Sequence, residues 1–214
     1  DYIRSLHISN GVKIKEAIGL DKLEIVGEKV VSASLTDGSD INVDFVIVGI
    51  GITPNTYLAE GANLKINNGI LINEKCQTSV SNIYAAGDCT SFKYKNTLVR
   101  LESVGNAIDQ ATTVAQNIMK QNTSYTPKPW FWSDQYDLKL QIAGLNTGYD
   151  DVIVRKGKNK QISHWYFKGQ SLLAVDALND PRCYMIGKRL IEENKSPPKN
   201  QLRDENFNLK VLLK

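Results

Sequence analysis

No Gly-x-Gly-x-x-Gly occurs anywhere in the 214 residues, so the chain carries no glycine loop of the kind that cradles a dinucleotide pyrophosphate at a helix start. No apolar run approaches the roughly 20 residues of a membrane span, and no signal peptide opens the sequence. Cysteine is scarce. The three thiols, Cys76, Cys89 and Cys183, stand far apart with no Cys-x-x-Cys pair, which excludes a zinc knuckle and a secreted disulfide framework. Three reduced thiols in a cytoplasmic protein, with no membrane contact, are expected. Charge of one sign is lacking too: 26 basic against 23 acidic residues leave a net charge of +3. That is too mild for a nucleic-acid partner and suits a weak attraction to an acidic protein.

The stretch that stands out is Ser81-Asn82-Ile83-Tyr84-Ala85-Ala86-Gly87-Asp88. Residues 83–86 are small or strand-forming, so a brief buried strand is predicted, turning sharply at Gly87 and leaving Asp88 at its carboxyl edge. Ligands of open parallel sheets bind outside those edges, and an acid there accepts hydrogen bonds from ligand hydroxyls. Gly-Asp also makes ordinary turns.

Ahead of it, residues 1–9 have helix-like spacing, and three strand-like runs at 12–17, 23–26 and 30–35 read as an antiparallel meander. Residues 43–48, Val-Asp-Phe-Val-Ile-Val, read as a strand buried on both sides. Gly49-Ile50-Gly51 closes it, either as a turn or as a place where a nucleotide approaches backbone N–H groups. A short helix at 56–64 and a short strand at 69–72 follow, and polar residues 89–97 read as a loop.

The clearest helix is 101–119, with Leu101, Val104, Ile108, Ala111, Ala115 and Ile118 at helical spacing. A helix start presents partial positive charge, and Glu102 there reads as a first-turn acid. After Pro127 and Pro129 come Trp130-Phe131-Trp132-Ser133-Asp134-Gln135. Strands at 151–155, 162–167 and 171–177 predict an antiparallel sheet. The hairpin from Arg155 to Lys160 reads as solvated charge and His164 as a packed or surface residue. Asn179-Asp180-Pro181 starts a helix with Met185, Ile186, Leu190 and Ile191 on its apolar face.

Three blocks carry a resemblance: Thr78-Ser79 with Ile83 to Asp88, Trp132-Ser133-Asp134-Gln135 running into residues 138–144, and Met185 to Ile191. Arg100-Leu101-Glu102 with Asn106-Ala107 and Gln110 adds to them. Together they resemble the FAD-containing, NAD(P)H-dependent ferredoxin or rubredoxin reductases, relatives of the apoptosis-inducing factors. The resemblance implies FAD and NAD(P)H as cofactors, hydride transfer from nicotinamide to flavin, and single electrons leaving to an iron-sulfur ferredoxin or rubredoxin. It implies Gly87 and Asp88 at the ribityl chain, Trp132 against the flavin, and the helix start at Glu102, Ser103 and Val104 near the flavin's pyrimidine end. Glu102 would also hold nicotinamide, and Gly49 and Gly51 would face the bound nucleotide.

The implied fold is α/β plus α+β: partial Rossmann-like domains followed by an antiparallel-sheet domain with helices. Residues 1–54 would end an NAD(P)-binding domain, 55–124 would be a returning segment of an FAD-binding domain, and 125–214 an interface domain. Since the family carries two glycine loops and this sequence has neither, it reads as roughly the carboxy-terminal half of a reductase, inactive alone. A disulfide reductase of the same superfamily fits less well, because no histidine follows His164. A non-catalytic protein-binding module is the alternative of a different class.

Overall fold

In the computed structural model residues 2–95 and 97–213 are described, so position 1 of the expected first helix and position 96 of the expected loop lie outside them. The chain divides into two compact units, Asp1–Ile52 and Thr53–Lys214.

In the first unit α1 spans Tyr2–Ser9, and the meander forms from β1 (Leu20–Val26), β2 (Lys29–Leu35) and β3 (Asp40–Asn42), all antiparallel. Residues 12–17 are not a strand, and Asp40–Asn42 takes the third place instead. Gly27, at φ +65°, closes the β1–β2 hairpin in the left-handed region that a two-residue turn requires. At the next turn Asp37 Oδ1 accepts from Ser39 N at 2.9 Å and from Ser39 Oγ at 2.6 Å, and Oδ2 from Lys15 Nζ at 3.2 Å.

The apolar run 43–48 forms no strand, and Phe45 and Ile47 are 71% and 84% exposed. A strand buried on both faces needs neighbours, and among the described residues no strand pairs with this run. An apolar pattern without a partner has nothing to bury against.

The second unit starts with α2 (Tyr57–Gly61) and β4 (Ile70–Leu71), which pairs in parallel with β5 (Thr90–Tyr94). β6 (Thr97–Val99) returns antiparallel to β5. The expected loop at 89–97 is thus largely a strand, with Thr90, Ser91 and Phe92 buried. Its polar residues misled because they are satisfied inside: Ser91 Oγ donates to Asn68 O at 2.7 Å. Residues 83–86 form only one isolated bridge, Gln77 to Tyr84, in place of the expected strand.

Helix α3, Val104–Ile118, buries the opposite face from the one its apolar spacing predicts. Asn106, Gln110 and Thr113 are inside, while Val104, Ile108 and Ile118 are 59%, 59% and 63% exposed. The buried face is held by hydrogen bonds. Asn106 Nδ2 donates to Leu101 O at 3.0 Å, Asn106 Oδ1 accepts from Tyr125, and Asn117 bonds both Lys75 O and Thr123. A small apolar cluster of Ile72, Cys76, Phe92, Leu101 and Tyr125 lies beside it.

The terminal antiparallel sheet holds the three strands expected at 151–155, 162–167 and 171–177, with two more ahead of them. β7 (Trp130–Gln135), β8 (Leu138–Gly144), β9 (Asp151–Lys156), β10 (Ile162–Lys168) and β11 (Ser171–Leu178) pair in the order β7-β8-β11-β10-β9, all antiparallel. Alternation on β10 sends Trp165 and Phe167 into the core and leaves His164 and Tyr166 half-buried on the other face. α4 (Pro181–Glu192) covers the core face, capped by Asp180 Oδ1 accepting from Cys183 N at 3.0 Å. Its apolar side includes Ile186, Leu190 and Ile191, whereas Met185 is exposed. Gly187 lets helix and sheet approach closely, since a Cβ there would lie 2.5 Å from Val175 Cγ2. Each large side chain buried in this core contributes about 1.5–3 kcal/mol. The cysteines are free, and burial pushes Cys76 up to about 11 and Cys183 up to about 12, which makes both unreactive.

Arg155 is 8% exposed and so departs from the solvated reading of its hairpin, which holds for the exposed residues 156–160. Its terminal nitrogens face the carbonyls of Gln201, Leu202, Asp204, Glu205 and Phe207 at 2.5–3.4 Å. They tie down the end of α5 (Lys199–Arg203) and the segment after it as far as Phe207, ahead of the closing 3-10 turn Leu209–Leu213. Asp151 adds bonds to Lys199 at 2.8 Å and Arg203 at 3.1 Å.

Arg155→Ala is expected to cost about 2–4 kcal/mol, because several carbonyls lose a charged donor at once. Thermal unfolding measures the loss, and proteolysis confined to residues 199–213 locates it. In the first unit, the Ser39 and Lys15 bonds hold the Asp37 carboxyl down at about 2. The sign follows: its contribution is complete above the ordinary value near 3.8 and is lost as pH falls through about 2. An NMR titration should place Asp37 in that window, and Asp37→Asn should abolish this acid dependence.

Candidate functional site

Gly87 is buried at φ +88°, a conformation other residues rarely adopt, and so ends the 83–86 segment in a sharp turn. Its N–H donates to Gln110 Oε1 on α3 at 2.7 Å. The turn delivers Asp88 to the surface with its side chain exposed. Arg100 Nη1 donates to Asp88 O at 3.4 Å and pairs with Glu102 Oε1 at 2.7 Å.

Helix α3 starts one residue after its cap, Ser103, whose side chain accepts from Asn106 N at 3.2 Å. Glu102 therefore precedes the helix and pairs with Arg100, which corrects its reading as a first-turn acid. The helix start still presents its N–H groups and partial positive charge beside Asp88. Trp130 and Trp132 stack with ring centres 5.2 Å apart and planes inclined by 25°. Trp130 lies against Gly105 in the first turn of α3, where a Cβ would come within 2.5 Å of Trp130 Nε1. Trp132 is 50% exposed.

Asp88, Glu102, Ser103, Val104 and Trp132, together with Phe131, line one cleft of about 240 Å³. Five site residues expected from the sequence thus meet, and Gly87 forms the turn behind them. Gly49 and Gly51 belong to the other unit, where both are exposed and Gly51 has φ +96°. The cleft combines a carboxylate acceptor, a helix start and a flat apolar ring. That donor set fits a hydroxylated chain leading to a planar, electron-accepting ring, so the residues present suit the inner part of FAD. For the pyrophosphate the chain offers no glycine loop. Among the described residues no group of His, Cys, Asp and Glu could hold a metal ion, and no helix is long and apolar enough to cross a membrane.

Residues 1–111, more than half of the chain, match the family model described as pyridine nucleotide-disulphide oxidoreductase. The chain belongs to that family. Residues 130–213 match a second model, described as reductase C-terminal. Rhodocoxin reductase of Rhodococcus erythropolis is 36% identical over 215 residues, covering 99% of this chain and 50% of its own length. Putidaredoxin reductase of Pseudomonas putida is 37% identical, with 99% and 51% covered. Among solved structures, a ferredoxin reductase from Rhodopseudomonas palustris superposes with a TM-score of 0.94 at 33% identity over 99% of this chain and 53% of its own. The covalent putidaredoxin reductase–putidaredoxin complex gives 0.92 at 37% identity, covering 99% and 52%. The chain spans about half the length of the curated relatives it matches.

Sequence reasoning missed Gly105 and the support role of Trp130. A glycine in the first turn of a helix was a weak signal, and nothing in one dimension linked it to an indole 25 residues away. Gly105→Ala should push Trp130 off α3 and tilt Trp132 with it, at about 1–3 kcal/mol in stability. Near-ultraviolet circular dichroism of the stacked indoles checks this, with Gly157→Ala as a control remote from the pair.

Proposed function

We propose that this chain is the carboxy-terminal half of an FAD-dependent, NAD(P)H-oxidising ferredoxin or rubredoxin reductase. The observation that carries the reading is the meeting of Asp88, the start of α3 and Trp132 on one cleft. FAD, when bound, supplies the chemistry of accepting hydride from nicotinamide and releasing single electrons to an iron-sulfur protein. The chain's own residues bind and orient. Asp88 accepts hydrogen bonds from ribityl hydroxyls, held in place by the left-handed turn at Gly87. The N–H groups at Ser103 and Val104 stabilise negative charge that develops at the pyrimidine end. Trp132 covers the ring and excludes water. Glu102, kept near the cleft by Arg100, takes the nicotinamide amide, and Gly49 and Gly51 let a nucleotide approach their backbone.

The relatives named for rhodocoxin and putidaredoxin, and the solved complex with putidaredoxin, support a small iron-sulfur protein as electron acceptor. Residues 1–54 then close an NAD(P) domain, 55–124 return to the FAD domain, and 125–214 form the interface domain, in a cytoplasmic protein. The exposed apolar side of α3 fits this division, because a dinucleotide domain covers both faces of its layers.

The chain mixed with FAD and desalted should emerge colourless. Refolded together with the amino-terminal half of rhodocoxin reductase, which would bring the glycine loops, it should retain flavin bands and oxidise NADH. Asp88→Ala should weaken flavin retention at least about tenfold, roughly 1.4 kcal/mol. Equal retention by Asp88→Ala would overturn the assignment of that residue.

A further inference from the structure

Gln110 lies at the centre of α3 with no solvent exposure, and the reading so far gives it no task. Its two amide ends are treated very differently. Oε1 accepts from Gly87 N at 2.7 Å and lies 2.9 Å from Thr90 Oγ1. The Gly87 N–H fixes the orientation of the amide, since only an oxygen can accept there. Thr90 Oγ1 also lies 2.8 Å from Gly87 O, so its single proton serves one acceptor at a time and bridges the turn to the glutamine. Nε2, by contrast, is buried with no hydrogen-bond partner among the described residues.

For packing alone, methionine would fill nearly the same space without burying an unsatisfied donor. What glutamine adds is the oxygen. The left-handed backbone at Gly87 costs conformational freedom. Thr90 N closes the turn by donating to Gly87 O at 3.0 Å, and the Gly87 N–H ties it to α3. Gly87 also packs on α3 at Ala107, where a Cβ would stand 3.6 Å from Ala107 Cβ, so the contact itself adds little restraint.

The geometry points to Gln110 as the positioning residue that locks the Gly87–Asp88 turn onto α3 and so sets the Asp88 carboxylate relative to the helix start. This deepens the flavin reading and rests on it for its functional consequence. Gln110 itself touches no ligand. The Gly87–Gln110 bond ties the turn directly to the body of α3, while Arg100 reaches Asp88 O from the segment ahead of the helix.

The test uses the 214-residue chain, with amide hydrogen exchange read by NMR at Gly87 and at interior positions of α3 and β10. In Gln110→Met, Gly87 exchange should accelerate at least about tenfold while β10 is unchanged. Gln110→Glu keeps the acceptor and should restore protection, with a Gly87 amide shift that titrates as the introduced carboxyl gains a proton. Thr90→Val, which leaves the Gly87–Gln110 bond intact, should change Gly87 exchange less than about threefold. Unchanged Gly87 exchange in Gln110→Met overturns the assignment. So does acceleration shared equally by β10, or loosening by Thr90→Val as large as by Gln110→Met. Should Gln110→Met fail to fold, the titrating shift in Gln110→Glu decides alone, its absence being the overturning result.

Flavin is read separately, in the form refolded with the amino-terminal half of rhodocoxin reductase. Gln110→Met should raise the FAD dissociation constant at least tenfold, or 1.4 kcal/mol, and Gln110→Glu should recover most of it. Unchanged affinity with a loosened Gly87 overturns the functional consequence. A wild-type assembly that takes up no flavin sinks the flavin reading, and the exchange data still decide whether Gln110 holds the turn.

Discussion

Helix α3 is held by hydrogen bonds on its inner face, and the site depends on that constraint. Asn106, Gln110 and Asn117 each reach a backbone group of another segment: the approach to the helix at Leu101, the turn at Gly87, and the loops at Lys75 and Thr123. A buried hydrogen bond contributes only about 1 kcal/mol net, but leaving its partner orphaned costs about 1–3 kcal/mol. Turning α3 on its axis would orphan several partners together, so its rotation is fixed more sharply than an apolar stripe would fix it. From that rotation follow the direction of its N–H groups, the placement of Asp88, and the face on which Gly105 receives Trp130.

The terminal sheet coheres differently. Its core is apolar and continuous, from Trp165 and Phe167 through Val175 to Ile186 and Leu190, with Gly187 bringing α4 down onto the strands. Such burial is strong but tolerant of direction. Arg155 supplies what is directional there, by tying residues 201–207 to the sheet edge through their carbonyls. A rigid β7 matters to the cleft, since it carries Trp130 and Trp132 to the start of α3.

Where the sequence misled, the reason is the same in each case. The apolar stripe of Val104, Ile108 and Ile118 marked a helix correctly and its buried face wrongly, because periodicity shows that two faces differ and not which one finds a partner inside this chain. Residues 43–48 carry the composition of a buried strand, yet form no strand, and 44–48 are exposed for lack of a pairing neighbour. Thr90 and Ser91 looked like loop residues, and their hydroxyls are satisfied by backbone carbonyls, Gly87 O beside Thr90 and, for Ser91, Asn68 O from 23 residues away, which no local window reveals.

The sequence by itself determined the local pieces: the helix start at Asp180-Pro181, the alternation of the terminal strands, the turn at Gly87, and the family through its three motif blocks. These are written in neighbouring residues, where propensity and periodicity act. Only the tertiary structure decided which face of α3 is inside, that Glu102 pairs with Arg100 ahead of the Ser103 cap, and that Gly105 and Trp130 fit together. The first and last of these join segments more than ten residues apart, and the second turns on a local side-chain pairing. In each, contact geometry at ångström scale chooses among arrangements that propensity and periodicity leave open.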